Sequence, residues 1–148
     1  MKRLSILLPG LIPALLSMLL LAGSHAAAED KAEPTAFVVQ LTRDSDNFGH
    51  RRALFQIDRI LGDLGEKNLK FVVVAYEEGI HALLANNKQT NQTLTKLANR
   101  GVVFRACKIS MKAWGLKEED FPLEVEFVPA GAPEVIRLQM SGYKYWKP

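Results

Sequence analysis

Leu69-Lys70-Phe71-Val72-Val73-Val74-Ala75 constrains the fold more than any other stretch of this chain. It is a near-continuous apolar run rich in β-branched residues, without the polar alternation of a half-solvated strand. A strand of that kind needs cover on both faces. Covered strands of this length belong to parallel sheets with helices above and below. The surrounding segments supply the partners. Thr35-Ala36-Phe37-Val38-Val39-Gln40-Leu41 reads as a strand after Pro34, and Gly101-Val102-Val103-Phe104-Arg105-Ala106-Cys107 as another. Leu123 to Val128 alternates and stops at Pro129, and Tyr143 to Trp146 reads as a last edge strand.

Helical stretches separate these runs. Asp46 to Leu64 carries Phe48, Leu54, Phe55, Ile57, Ile60, Leu61 and Leu64 mainly on one face; Ser45 or Asp46 can cap it and Gly65 can end it. Ile80 to Ala85, Thr90 to Arg100, Ile109 to Trp114 and Ala132 to Ser141 read as further helices. Strand–helix–strand order predicts a mainly parallel α/β sheet with right-handed crossovers. Its ligand-binding rim lies at the carboxyl ends of the strands. That rim gathers Thr42-Arg43-Asp44, Tyr76-Glu77-Glu78-Gly79, Cys107-Lys108 and Pro129-Ala130-Gly131.

The first residues follow a different logic. Lys2 and Arg3 precede an apolar stretch from Leu4 to Ala22, then Ser24-His25-Ala26-Ala27-Ala28 and the charges Glu29 and Asp30. This is the pattern of a secretory signal peptide cleaved after Ala26 or Ala28. The apolar stretch approaches the roughly 20 residues of a spanning helix, but Pro9, Gly10 and Pro13 interrupt it. The expected organisation is a signal peptide over 1–28, a linker over 29–34 and one domain over 35–148. The expected location is the periplasm, with membrane contact only through the leader before cleavage. Of the net charge of +3, Lys2 and Arg3 contribute two, so the mature chain carries +1. With no basic stripe interleaved with aromatics, no nucleic-acid role is expected.

Export sharpens the meaning of Cys107, the single cysteine. Small secreted domains use cysteines in pairs, and here no intrachain partner exists. Cys107 ends a strand where a helix follows, and a helix N-terminus favours thiolate over thiol. Arg105, Lys108 and Lys112 place cations nearby, and Glu77 and Arg43 share the rim. This setting predicts an accessible, reactive thiol; the alternative is a buried cysteine acting as a small hydrophobe. A metal site made of His81, Cys107 and a rim carboxylate has no recurring ligand spacing behind it. No metal, phosphate or cofactor motif is present, so no cofactor is expected. His50 reads as a solvated surface residue, Glu77 and Glu78 as a solvated turn, and Met111 and Trp114 as packing residues.

The segment Gly101 to Met111 resembles the signature stretch of DsrE/DsrF-like proteins, roughly Gly-Val-x-Phe-x-Ala-Cys, two variable residues, Thr or Ser, and Met. Val135 to Gln139, Gly142-Tyr143, Tyr145 and the Ala75-to-Leu84 region are similar to that family too, so the likeness spans residues 35 to 148. The resemblance implies a three-layer α/β/α fold with a five-stranded sheet and self-assembly into trimers or hexamers. It also implies sulfur relay, with Cys107 carrying a persulfide between a donor and an acceptor protein. The leading expectation is an exported sulfur-binding or sulfur-transfer protein. Two others stand beside it: a non-enzymatic oligomeric binding module with an inert cysteine, and a thiol-based redox or metal-binding factor. The absence of a second, resolving cysteine disfavours a dithiol oxidoreductase.

Overall fold

The computed structural model describes residues 33–43 and 49–148. The expected signal segment, most of the linker, Phe48 and the cap candidates Ser45 and Asp46 lie outside the described residues. Five strands form one sheet: β1 (Thr35–Leu41), β2 (Leu69–Ala75), β3 (Val103–Cys107), β4 (Val125–Val128) and β5 (Lys144–Trp146). Their order is β4-β3-β2-β1-β5, and every pairing is parallel. The helices are α1 (Gly49–Leu64), α2 (Asn91–Asn99), α3 (Lys108–Ala113) and α4 (Gly131–Met140). Short 3-10 segments span Glu66–Asn68, Glu77–Leu83 and Glu118–Asp120.

The topology explains how the faces are covered. From β1 to β4 each connection steps one strand in the same direction. Right-handed crossovers therefore place the first connecting helices on one face. The β4-to-β5 connection runs back across the sheet, so α4 lands on the other face. The core follows this division. Leu54, Ile57 and Leu61 of α1 and Leu94 and Leu97 of α2 pack against Val39, Leu41, Phe71, Val73 and Phe104. On the opposite face Val135 and Leu138 of α4 pack against Val38, Val72 and Val74. Residues 71–75 of β2 are all buried, as the apolar run predicts.

Local chemistry sets the boundaries. Gly101, at φ +85°, ends α2. Its N–H reaches Ala98 O at 2.9 Å, and Val102 N–H reaches Leu97 O at 3.1 Å, so left-handed backbone satisfies the last carbonyls. Several expectations shift. The segment expected as a helix over Ile80 to Ala85 is a 3-10 stretch from Glu77 to Leu83. The fourth strand begins at Val125, because Val125 N–H bonds Pro122 O at 3.1 Å in a turn that leaves Leu123 fully exposed. His50 is buried, not solvated: its Nε2 donates to the Arg43 carbonyl at 2.6 Å, tying the start of α1 to the end of β1. Phe55 and Leu64 are exposed, as α1 turns its buried stripe through Ala53, Leu54, Ile57 and Leu61.

Candidate functional site

Cys107 is the last residue of β3, and the side chains of this strand alternate. Val103, Arg105 and Cys107 point to the α4 face. Phe104 and Ala106 point into the larger core. The thiol is buried, 3% exposed, rather than accessible as its strand-end position predicts, because α4 packs on its face of the sheet. The Gly131 N–H, at the first position of α4, donates to Cys107 Sγ at 3.2 Å. Cys107 also stands at the N-cap of α3, but its side chain makes no cap bond there. The helix that addresses the sulfur is thus α4, whereas the sequence pointed to the helix that follows directly. A backbone donor and the positive end of a helix dipole both stabilise negative charge on sulfur.

Gly131 is required at that place. A Cβ on it would lie 2.6 Å from Cδ1 and 2.7 Å from Cβ and Cγ of Tyr76. The ring of Tyr76 therefore rests on the Cα of the residue whose N–H holds the sulfur. Register brings Tyr76 there. Ala75 pairs with Ala106, so the next residues, Tyr76 just past β2 and Cys107 at the end of β3, stand side by side. The Tyr76 hydroxyl accepts from Gln40 Nε2, and the Tyr145 hydroxyl donates to Gln40 Oε1. Burial pushes the Tyr76 phenol above its ordinary range, against the bond from Gln40, so it is protonated at neutral pH. Beside this chain lies a cleft of about 330 Å³, lined by Gln40, Tyr76, Ala132, Ile136, Gln139 and Tyr145 among others.

The expected supporting residues have separate fates. Arg105 shares the face of Cys107, but carboxylates engage it. Its Nε bonds Glu126 at 2.9 Å, and its Nη1 bonds Glu134. Glu134 also takes two bonds from Arg137, at 2.6 and 2.8 Å. The Arg137 bond, helped by Arg105, holds the Glu134 carboxyl below its ordinary value against the opposing effect of burial. Lys108 extends to Glu118 at 2.9 Å and lies over the Phe127 ring. Lys112 is exposed at the far end of α3. Arg43 is exposed beyond β1, where its carbonyl serves His50. Glu77 is exposed at φ +52°, and its N–H donates to Ser110 Oγ at 2.8 Å.

Glu77, Glu78, Ile109, Ser110, Ala113 and Trp114 line a second cleft of about 390 Å³. Trp114 is half exposed, edge-on to His81 with ring centroids 4.7 Å apart, so it walls this cleft rather than filling the core. Among the described residues no group of three His, Cys, Asp or Glu is placed to hold a metal ion. No helix among them is long and apolar enough to cross a membrane.

Tyr76 and Gly131 belong to the rim read from sequence, but nothing in the pattern marked them as partners of Cys107. Gln40 and Tyr145 were missed. The available signal was a lone amide within the apolar run of β1, on the same face as Val38.

A comparison with curated proteins gives no match. Two solved structures share the fold. One is a protein of unknown function, MTH1491, from Methanobacterium thermoautotrophicum. It is 23% identical with a TM-score of 0.67, and the match covers 78% of this chain and 98% of that one. The other is the ychN protein from E. coli, 15% identical with a TM-score of 0.63, covering 78% and 99%. The family model that matches residues 36–148 takes in all five strands and the rim that carries Cys107, and the chain belongs to the DsrE/DsrF-like family.

Proposed function

We propose that this protein is an exported sulfur carrier that accepts a sulfane sulfur on Cys107 and passes it to a partner in the periplasm. The family is associated with sulfur relay in general, which supports the class of chemistry. The observation that carries the reading is the Gly131 N–H at 3.2 Å from Cys107 Sγ. A sulfur held at a helix N-terminus suits the thiolate needed for attack, and equally the terminal anion of a persulfide. In the transfer, the thiolate attacks a polysulfide. A new S–S bond forms, the donor S–S bond breaks, and the donor leaves as a polysulfide dianion one sulfur shorter. No external oxidant is required.

The leader pattern of Lys2, Arg3 and the apolar stretch supports export. Ile136 and Met140, one turn apart on the outer side of α4, and the half-exposed Tyr145 support self-association into a trimer or hexamer. Light scattering of the mature protein tests this, and a monomer mass at micromolar concentration would refute it.

The decisive experiment is intact mass spectrometry after polysulfide treatment. The mature protein is expected to gain mass in units of one sulfur, removable by reductant. Cys107→Ser is expected to gain none, because no other thiol exists. The second reading, an inert core cysteine, draws on the burial of the thiol. A wild-type protein that stays at its unmodified mass would favour that reading and end the first.

A further inference from the structure

Cys107 is buried yet lies at the rim, and the segment that follows β2 passes beside it. The Tyr76-Glu77 turn leaves β2 beside Cys107. It touches both helices that begin around the thiol. On one side Glu77 N–H bonds Ser110 Oγ of α3, three residues after Cys107. On the other the Tyr76 ring rests on Gly131 of α4, the residue bonded to the sulfur. The turn is strained, because Glu77 is the only non-glycine residue at positive φ among the described residues. Strain of that kind persists only where neighbours over-determine it, and it marks switch and clamp segments.

We propose that the Tyr76-Glu77 turn is a flap over Cys107, hinged at the backbone bonds of Tyr76 with Leu41 and Gly79 and latched by two further contacts. One latch is the Ser110 hydroxyl, which holds the Glu77 N–H. The other is the Tyr145–Gln40–Tyr76 chain, which holds the phenol and connects it to the three-residue edge strand β5. The ring has room to move, since the cleft of about 330 Å³ opens on its side and already counts Tyr76 among its walls. Opening the flap relaxes Glu77 and uncovers Sγ without unfolding the sheet. The use of the flap in sulfur transfer rests on the reading of Cys107 as a carrier. The opening itself is measured without any transfer of sulfane sulfur.

The test is alkylation of Cys107 in the mature protein by iodoacetamide, in which the thiolate displaces iodide and forms a thioether. The rate is followed across a urea series. Local opening gives a rate at low urea that is well below that of a free cysteine peptide and nearly independent of urea. Tyr145→Phe and Ser110→Ala, each removing one latch hydrogen bond, are expected to raise that rate about fivefold, the change expected for one ordinary hydrogen bond. Their slope against urea should stay shallow. Three results would overturn the flap. One is a wild-type rate that follows global unfolding from zero urea. Another is a wild-type rate equal to that of the free peptide. The third is a pair of variants within twofold of wild type. A protein that shows local opening but takes up no sulfur from polysulfide keeps the flap and loses the carrier.

Discussion

The two faces of the sheet are built from the same five strands and covered very differently. The α1 and α2 face is a continuous core, in which Leu54, Ile57, Leu94, Leu97 and Phe104 are fully buried. Among the described residues the other face carries one helix, α4, which contacts β1, β2 and β3. A helix about 10 Å across cannot cover a five-stranded sheet about 19 Å wide. Its buried apolar cluster is only Val38, Val72, Val74, Val135 and Leu138. The rest of that face holds Cys107, the tyrosine–amide chain and the Arg105 carboxylate pairs. The lesson is a division of labour. One face carries the cohesion of the domain. The other, with a smaller apolar cluster, also holds polar side chains and the thiol.

That contrast can be broken by measurement. Phe104→Ala, deep in the larger core, is expected to cost about 3–5 kcal/mol by urea unfolding. Val72→Ala on the α4 face removes less volume and should cost clearly less. Equal losses would mean that both faces stabilise the fold alike.

Gly131→Ala acts at the α4 face. Its new Cβ must push the Tyr76 ring aside, at about 1–3 kcal/mol. It should also speed alkylation of Cys107 by displacing the ring, the donor N–H, or both. An unchanged labelling rate would show that the ring and the thiol are independent.

Each face also carries a carboxylate held below its ordinary value. Asp58 on α1 is held chiefly by its bond from Lys96, with Arg100 adding to it. Glu134 on α4 is held chiefly by Arg137, with Arg105 adding to it. Both are lowered in the folded state. Their contribution is therefore present above the ordinary carboxylate range and is lost as pH falls through the folded values. The urea midpoint should drop on going from pH 7 to about pH 3. Asp58→Asn and Glu134→Gln should each narrow that drop. Only Glu134→Gln, in the first turn of α4, should also quicken alkylation of Cys107. If Asp58→Asn did so equally, the faces would be coupled.

The smallest effect is expected from Lys108→Ala. Lys108 pairs with Glu118 in the open, so its removal should change stability by under about 1 kcal/mol. It should leave sulfur uptake nearly intact, because the amine is directed to Glu118 rather than to the sulfur. A large loss of uptake would restore Lys108 as a partner of the thiol.

Much of the fold was legible in local pattern. The runs at Thr35–Leu41, Leu69–Ala75 and Gly101–Cys107 became strands, the last of them starting at Val103, and the amphipathic stretch before Gly65 became α1. Boundaries moved where a turn or a local hydrogen bond prevailed over pattern, as at Pro122–Val125 and at the 3-10 stretch after Tyr76. His50 was misread because a histidine among charges looks solvated, while the Arg43 carbonyl that its Nε2 bonds is seven residues away in sequence. In the site, the rim position of Cys107 was readable, since strand ends follow from periodicity. The company of Cys107 was not. Arg105 lies two residues before it in sequence, yet Glu126 and Glu134 hold its guanidinium, and those partners come from β4 and α4.

Side-chain periodicity thus determined the elements, their parallel arrangement and the rim where the thiol stands, because alternation and apolar runs are local properties of the backbone. Strand order decided the rest. The backward crossover from β4 to β5 carries α4 over the sheet and sets Gly131 against Cys107, 24 residues away. The pairing of β5 with β1 brings Tyr145 to Gln40 across 105 residues. Contacts at such separations depend on register and crossover handedness, and neither is written in any short stretch of the chain.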